Sequence, residues 1–271
     1  VDKLLRNLAN TIELNLPVDA AGTPTVSITN SSGAILTSGN TSKPPSTTGI
    51  YRFALTPAQS TVLDTYKAVW SAVINGQTNT PETFFEIAGG VYFSIAEAKA
   101  LEGMSAIADD EVVTARQRVE EMIEKRCRMT FVPRGRRVSV DGTGWYSIDL
   151  PRFFIPIRKI NSVLVKDGAA FTASELGDLT FRGWELQRTL GFFPDGYRNI
   201  TVHEEFGMDE PPEPVKRAAL LMTQASFVLS DSEGNPATPS EGVLFEIPEV
   251  KELLADWLPR GSVYSIPIRT R

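Results

Sequence analysis

The sequence predicts two domains, the first all-β and the second α+β, followed by an extended arm. Two observations lead there. Composition shifts near residue 92: from Asp19 to Thr48 the only charged residues are Asp19 and Lys43, and residues 1–90 hold five of the 27 basic and six of the 33 acidic residues. Patterning shifts at the same place. Short alternating runs bounded by turn residues fill the first part, and long charged amphipathic stretches begin only after residue 94. The joint falls around Gly89-Gly90, giving domains over 1–92 and 93–260 and an arm over 261–271.

In the first domain the strand candidates are Ile12 to Leu16, Thr25 to Thr29, Ala34 to Leu36, Ile50 to Leu55, Tyr66 to Ile74 and Thr83 to Ile87. Tyr51, Phe53 and Leu55 alternate with smaller or polar residues, as a half-buried strand requires. Asn30-Ser31-Ser32-Gly33 and Asn75-Gly76 are hairpin turn signals. Six or seven short strands in this length point to an immunoglobulin-like β-sandwich. Leu63-Asp64-Thr65-Tyr66-Lys67-Ala68 has the pattern of a tyrosine corner, with Trp70 an inward residue of the same strand.

The second domain opens with a capping box, Ser94-Ile95-Ala96-Glu97, starting a short helix that stops at Gly103. Asp109-Asp110-Glu111 puts negative charge at the positive end of the next helix. Its apolar stripe is Val112, Ala115, Val119, Met122 and Ile123, with Arg116, Arg118, Glu120, Glu121, Glu124 and Lys125 on the other faces. Strands are expected at Thr130 to Val132, Arg137 to Val140, Trp145 to Leu150, Ile160 to Val165 and Ile200 to Glu204, completing a small sheet. A helix over Pro214 to Leu229 turns Val215, Ala218, Ala219, Met222, Ala225 and Leu229 to one side. A polar loop, Ser230 to Glu241, leads to a helix over Pro248 to Leu258 with Val250, Leu253, Leu254 and Trp257 buried. Pro259-Arg260-Gly261 ends it.

Composition excludes several function classes. With 271 residues and 42% apolar content the chain folds, and no apolar run approaches the ~18 residues that span a bilayer. Val1 to Arg6 has no apolar segment of a secretory signal. One cysteine, Cys127, and one histidine, His203, exclude an internal disulfide and multi-Cys or multi-His metal sites. A formal charge of −6 disfavours tight, non-specific binding to phosphate backbones. No phosphate loop and no nucleophile elbow occur, so neither a catalytic nor a cofactor site is expected. Asp109-Asp110-Glu111 reads as a helix start, Asp141-Gly142-Thr143-Gly144 as a hairpin turn and His203 as a half-exposed strand residue. Cys127 stands beside Arg126 and Arg128, which would lower its pKa, yet without a catalytic partner it reads as a packing or interface residue.

Arg134, Arg136 and Arg137 form the sharpest charge cluster, on a glycine-containing loop between two short strands. Three readings stand for it: DNA phosphate contact, docking on an acidic protein surface, or a solvated turn. The arm carries Val263, Tyr264, Ile266 and Ile268, too many apolar residues for a solvated tail, with Arg269 and Arg271 able to clamp carboxylates. Added as an edge strand to a partner's sheet, it would gain main-chain hydrogen bonds; the other reading is an arm packed back on its own domain.

An ordered series of segments runs through the second domain. Asp109-Asp110-Glu111 opens a helix that ends Cys127-Arg128-Met129-Thr130-Phe131. Then come Leu150-Pro151, Pro156-Ile157, Ile160-Asn161-Ser162-Val163 and Val165-Lys166-Asp167-Gly168. Ile200 to Gly207 and the proline-started Pro214 to Leu220 complete it. In this order, over most of residues 93–260, the chain resembles the head-to-tail connector, or adaptor, proteins of long-tailed bacteriophages. The first 90 residues lie outside the series. The resemblance implies a non-enzymatic virion protein made in the bacterial cytoplasm and located in the virion neck. It implies a ring of about twelve subunits below the portal, extending the channel and docking the next neck or tail protein. DNA would pass along an acidic wall without sequence-specific binding, and no membrane is involved. Arg134, Arg136, Arg137 and the arm residues would then face the portal, a neck protein or an adjacent subunit. The helices from about 94, 110, 214 and 248 would form the bundle that carries ring contacts. The competing expectation is an adhesion or carbohydrate-binding module on the sandwich, using Tyr51, Trp70, Phe84 and Phe85; a hydrolase with a scattered active site is a third.

Overall fold

A computed structural model describes residues 2–151, 157–166, 168–231 and 241–258. In chain order the first strands are β1 (Asp2–Leu5), β2 (Asn10–Asn15), β3 (Thr25–Asn30) and β4 (Ile35–Asn40). Then come β5 (Ile50–Leu55), β6 (Asp64–Ile74), β7 (Gln77–Asn79) and β8 (Glu82–Ala88). Helices α1 (Ile95–Lys99) and α2 (Asp109–Cys127) follow, then β9 (Arg134–Gly142), β10 (Ser147–Asp149) and β11 (Ile157–Val165). Helix α3 (Ala173–Gly177) precedes β12 (Leu179–Arg182), β13 (Glu185–Arg188) and β14 (Gly196–Phe206). The chain finishes with α4 (Glu213–Asp231), α5 (Glu241–Phe245) and α6 (Pro248–Leu254).

Two compact units emerge. One joins Val1–Val91 to Val132–Glu210; the other joins Tyr92–Phe131 to Pro211–Arg271. The strands after residue 132 share a unit with the N-terminal strands, and the helices on either side of them share the other.

The N-terminal strands of the first unit form a sheet ordered β1-β8-β6-β3-β4, with β7 on the end of β6 and a separate β2–β5 pair. Period-two alternation decides which side chains are buried. In β6, Tyr66, Ala68 and Trp70 point inward and are at most 2% exposed. They share one core with Ile12 and Leu14 of β2, Tyr51 and Leu55 of β5, and Phe85 and Ile87 of β8. Each such large apolar side chain contributes about 1.5–3 kcal/mol when fully buried. Tyr66 Oη donates to the Val62 carbonyl at 3.0 Å, the bond a tyrosine corner makes. Asn75 and Gly76, with φ of 51° and 77°, make the tight turn that pairs β7 with β6. Strand β1 pairs in parallel with β8; four residues are too few to show alternation in sequence.

Two three-stranded sheets complete this unit, ordered β11-β14-β9 and β10-β13-β12. Ile148, Leu150, Ile157, Val163, Leu186, Phe193, Ile200 and Val202 form their shared core. The expected strand at Thr130 to Val132 is instead a bend. The chain leaves α2 through Arg128 in a left-handed conformation, and Pro133 offers no N–H to a ladder. Strands β12 and β13 and helix α3 are not foreseen from the sequence.

In the second unit, α4 packs against both α2 and α6, and α1 touches α2 and α4. Val215, Ala218, Ala219 and Met222 of α4 are fully buried, whereas Ala225 is half-buried. The capping box at Ser94 forms as expected. Val112, Val119, Met122 and Ile123 of α2 are buried as the stripe requires, but so are Arg116, Glu120 and Glu124. Those three repeat at four-residue spacing and clamp the segment before α1. Glu120 Oε1 accepts from the Tyr92 amide at 2.8 Å, Glu124 Oε1 accepts from Tyr92 Oη at 3.2 Å, and Arg116 donates to the Phe93 carbonyl at 2.9 Å. Hydrogen-bonding groups inside the fold offset the desolvation that polarity alone would forbid. The final helix is shorter than expected; Val250 and Leu254 are buried, and Trp257 lies beyond it, edge-on to Phe131 at 5.3 Å.

Candidate functional site

The arginine cluster is not an exposed loop. Arg134, Arg136 and Arg137 lie in β9, opposite Phe206, Glu204 and His203 of β14. Each guanidinium meets a carboxylate of its own unit. Arg134 Nε is 3.5 Å from Glu86 of β8, and Arg137 Nε is 3.4 Å from Asp64 of β6. Arg136 Nε donates to Glu204 Oε1 at 2.6 Å, and its guanidinium also lies 4.9 Å from the centre of the Phe206 ring. Alternation along β9 sends Arg136 and Arg137 to opposite faces, so a single sequence cluster serves two different contacts.

Close packing accompanies these charges. A Cβ on Gly135 would fall 1.8 Å from the Leu63 carbonyl oxygen, so no other residue fits there. Gly89 meets Pro133 in the same way, with the Gly89 amide donating to the Pro133 carbonyl at 2.7 Å. Arg6 and Glu205 add an ion pair at 3.4 Å, and Asn161 donates to the same Glu205 carboxylate. The arginine row therefore fastens β9 and β14 to β6 and β8.

The titratable groups in this seam are displaced from their ordinary values. Burial pushes the Glu204 carboxyl up, against the opposing attraction of Arg136. His203 is 3% exposed, not half-exposed as its strand pattern implies. Its Nε2 lies 3.0 Å from the Leu63 carbonyl, which can only accept, so Nε2 carries the proton. Burial and then Arg137 lower its pKa, with Asp64, the Leu63 carbonyl and Glu205 opposing, which favours neutral imidazole. Asp64 itself accepts from Ser31 Oγ at 2.6 Å and from the Thr65 amide at 2.9 Å.

Other candidates resolve separately. Burial pushes the Cys127 thiol up to about 12, overcoming the pull of Arg126. Tyr51, Trp70 and Phe85 of the adhesion expectation are core residues, because they occupy inward positions of β5, β6 and β8; only Phe84 is exposed. No hairpin turn forms at Asp141-Gly142: both residues belong to β9, which pairs with β14 and not with β10, and the Asp141 carboxylate accepts from the Arg198 amide of β14. Among the described residues no group of three or more His, Cys, Asp or Glu could hold a metal ion. The arm residues Val263, Tyr264, Ile266, Ile268, Arg269 and Arg271 lie outside the described residues, as do Pro156 and Asp167. The sequence passes over a groove between β9 and β10 and the exposed aromatics near it; aromatic residues crowded into turn segments are the signal that points to them.

The chain is similar in structure to a chain of the "Neck of empty GTA particle computed with C6 symmetry", at 17% identity and a TM-score of 0.45, covering 62% of this chain and 89% of that one. It is similar to a chain of the "Virion of native gene transfer agent (GTA) particle" at 14% identity and the same TM-score and coverage. No protein-family profile and no curated protein matches the sequence.

Proposed function

We propose that this chain is a structural neck protein of a phage-type particle, an adaptor that assembles as a ring below the portal and works through its interfaces rather than by chemistry. The observation that carries this is where the adaptor-like series falls in the fold. Asp109-Asp110-Glu111 opens α2, Ile160 to Val163 lies on β11, Ile200 to Phe206 on β14, and Pro214 sits in the first turn of α4. These four segments fall on secondary elements, while Cys127 to Phe131 and Leu150-Pro151 run from the ends of α2 and β10 into the connections that follow. The helices that the resemblance assigns to ring contacts are gathered in one compact unit, with α4 between α2 and α6.

On this reading the N-terminal strands are an immunoglobulin-like sandwich, supported by the Tyr66 corner bond and the core shared between two sheets. A ring of about twelve copies, each at −6, would surround passing DNA with repelling charge. The adhesion reading loses three of its four aromatics to the core. Electron microscopy of particles carrying a labelled copy of the chain tests the proposal. Label in a ring between head and tail is expected, and label confined to fibres or absent from particles would overturn it.

A further inference from the structure

Strands β9 and β10 are outer strands of different sheets. Between them lies an open groove of about 700 Å³, within the range of pockets that hold sizeable ligands. An outer strand presents a row of main-chain donors and acceptors on its free side, which suits it to an added strand. The groove is acidic: Asp141, Asp149 and Glu185 line it against Arg198 alone. Asp149 and Glu185 stand directly opposite each other on β10 and β13, an arrangement that repels. Arg182 faces Glu185 from β12, which leaves Asp149 without a cross-strand cation. Tyr197, also in the lining, is 78% exposed, and the turn joining β9 to β10 carries exposed Trp145 and Tyr146. Loop residue Phe192, also exposed, is held beside that turn by bonds from the Phe193 amide to the Trp145 carbonyl and from the Arg188 amide to the Tyr146 carbonyl.

We propose that this groove receives, as an added strand, the C-terminal segment 259–271 of a second copy of the chain. The chemistry of the two matches. The segment holds Arg260, Arg269 and Arg271 and no acidic residue, and Val263, Tyr264, Ile266 and Ile268 lie between those arginines. Its arginines meet the opposed carboxylates, and its apolar residues meet Tyr197 and the aromatic turn. Thirteen residues past Leu258 at about 3.3 Å each extend roughly 43 Å, ample for reaching a neighbour. Nucleic acid is the wrong charge for this groove. The inference concerns contact between copies and does not rest on the particle the chain serves.

The test uses the full chain with Tyr197→p-benzoyl-phenylalanine, mixed as light- and heavy-isotope preparations, irradiated and digested with trypsin. The expected product joins the groove peptide of one isotope to peptide 261–269 of the other. Cross-links within one chain only, to other segments, or none at all would overturn the proposal. Charge exchange gives a second measurement. Asp149→Arg with Glu185→Arg should cut the cross-link yield about tenfold, and adding Arg269→Glu with Arg271→Glu should restore it. Unchanged yield after the first exchange would overturn the proposal as well, whatever electron microscopy says of the neck.

Discussion

Replacing Arg136 by alanine isolates the energetics of the β9 seam. The substitution leaves the Glu204 carboxylate fully buried with its cation gone. Breaking a buried pair from one side costs about 3–5 kcal/mol. The Arg136 side chain is 20% exposed, so the lower end applies, about 3 kcal/mol, a large share of the ~5–15 kcal/mol that holds a typical domain together. The loss must also depend on pH in one direction. Glu204 is already raised above its ordinary 4.5 by burial, and removing Arg136 takes away the attraction that opposes the rise. A carboxyl raised in the folded state binds more protons folded than unfolded. Stability is therefore lost as pH climbs from about 4.5 through the folded pKa, with a slope near 1.4 kcal/mol per pH unit. Urea unfolding followed by tryptophan fluorescence reads this, since Trp70, Trp145 and Trp184 lie in the first unit and only Trp257 in the second. Arg136→Ala should lose stability as pH rises above about 4.5, more than the parent chain does, and Arg136→Ala with Glu204→Gln should not. A cost below about 1 kcal/mol at pH 7.5, or equal slopes for the two variants, would refute the reasoning.

His203→Gln should flatten the stability profile between pH 7 and pH 5. The histidine is depressed below 6.5 by burial and by Arg137, with Asp64, the Leu63 carbonyl and Glu205 also facing it. The unfolded chain takes up that proton first, so the native protein loses stability as pH falls through 6.5 and the variant should lose less; parallel urea profiles would contradict this. A fragment of residues 92–271 lacks Glu86, Asp64 and the Leu63 carbonyl, the groups that Arg134, Arg137 and His203 meet on β8, β6 and the chain before β6. It should keep helical circular dichroism and lose its strand signal, in contrast to the sequence expectation that residues from 93 onward fold alone; a folded, monomeric fragment would show the seam to be dispensable. Tyr66→Phe removes the bond to the Val62 carbonyl and should cost about 1 kcal/mol by urea unfolding, with no change in midpoint taken as the negative result.

Local signals in this sequence are faithful, and long-range ones are not. Ser94 with Glu97, Asn75 with Gly76, and the alternation through Tyr51 to Leu55 each specify structure within a few residues, and each forms as read. Strand β1 and strands β12 and β13 escape notice because four residues cannot display a period convincingly. Arg116, Glu120 and Glu124 mislead for a different reason. A charged residue in an amphipathic pattern reads as solvated, and only the Tyr92-Phe93 segment, more than twenty residues earlier, supplies the groups that make burial acceptable.

The arginine cluster fails in the same way, with consequences for function. Pro133, Arg134, Gly135, Arg136 and Arg137 have the composition of an exposed turn. The glycine is there because the Leu63 carbonyl occupies the space a side chain would take, and Glu204, the partner of Arg136, is 68 residues away. No local pattern encodes either fact. Guanidiniums already held by Glu86, Glu204 and Asp64 are poorly placed to clamp an outside partner, because a new carboxylate would have to displace an existing one. Their neutralisation turns attention to charge and apolar surface that have no partner within the fold. Among the described residues, Asp149, which has no cross-strand cation, and exposed Trp145, Tyr146 and Tyr197 meet that description. A neck protein that works through interfaces would keep its contact residues there and use its arginine row to hold the underlying sheets still.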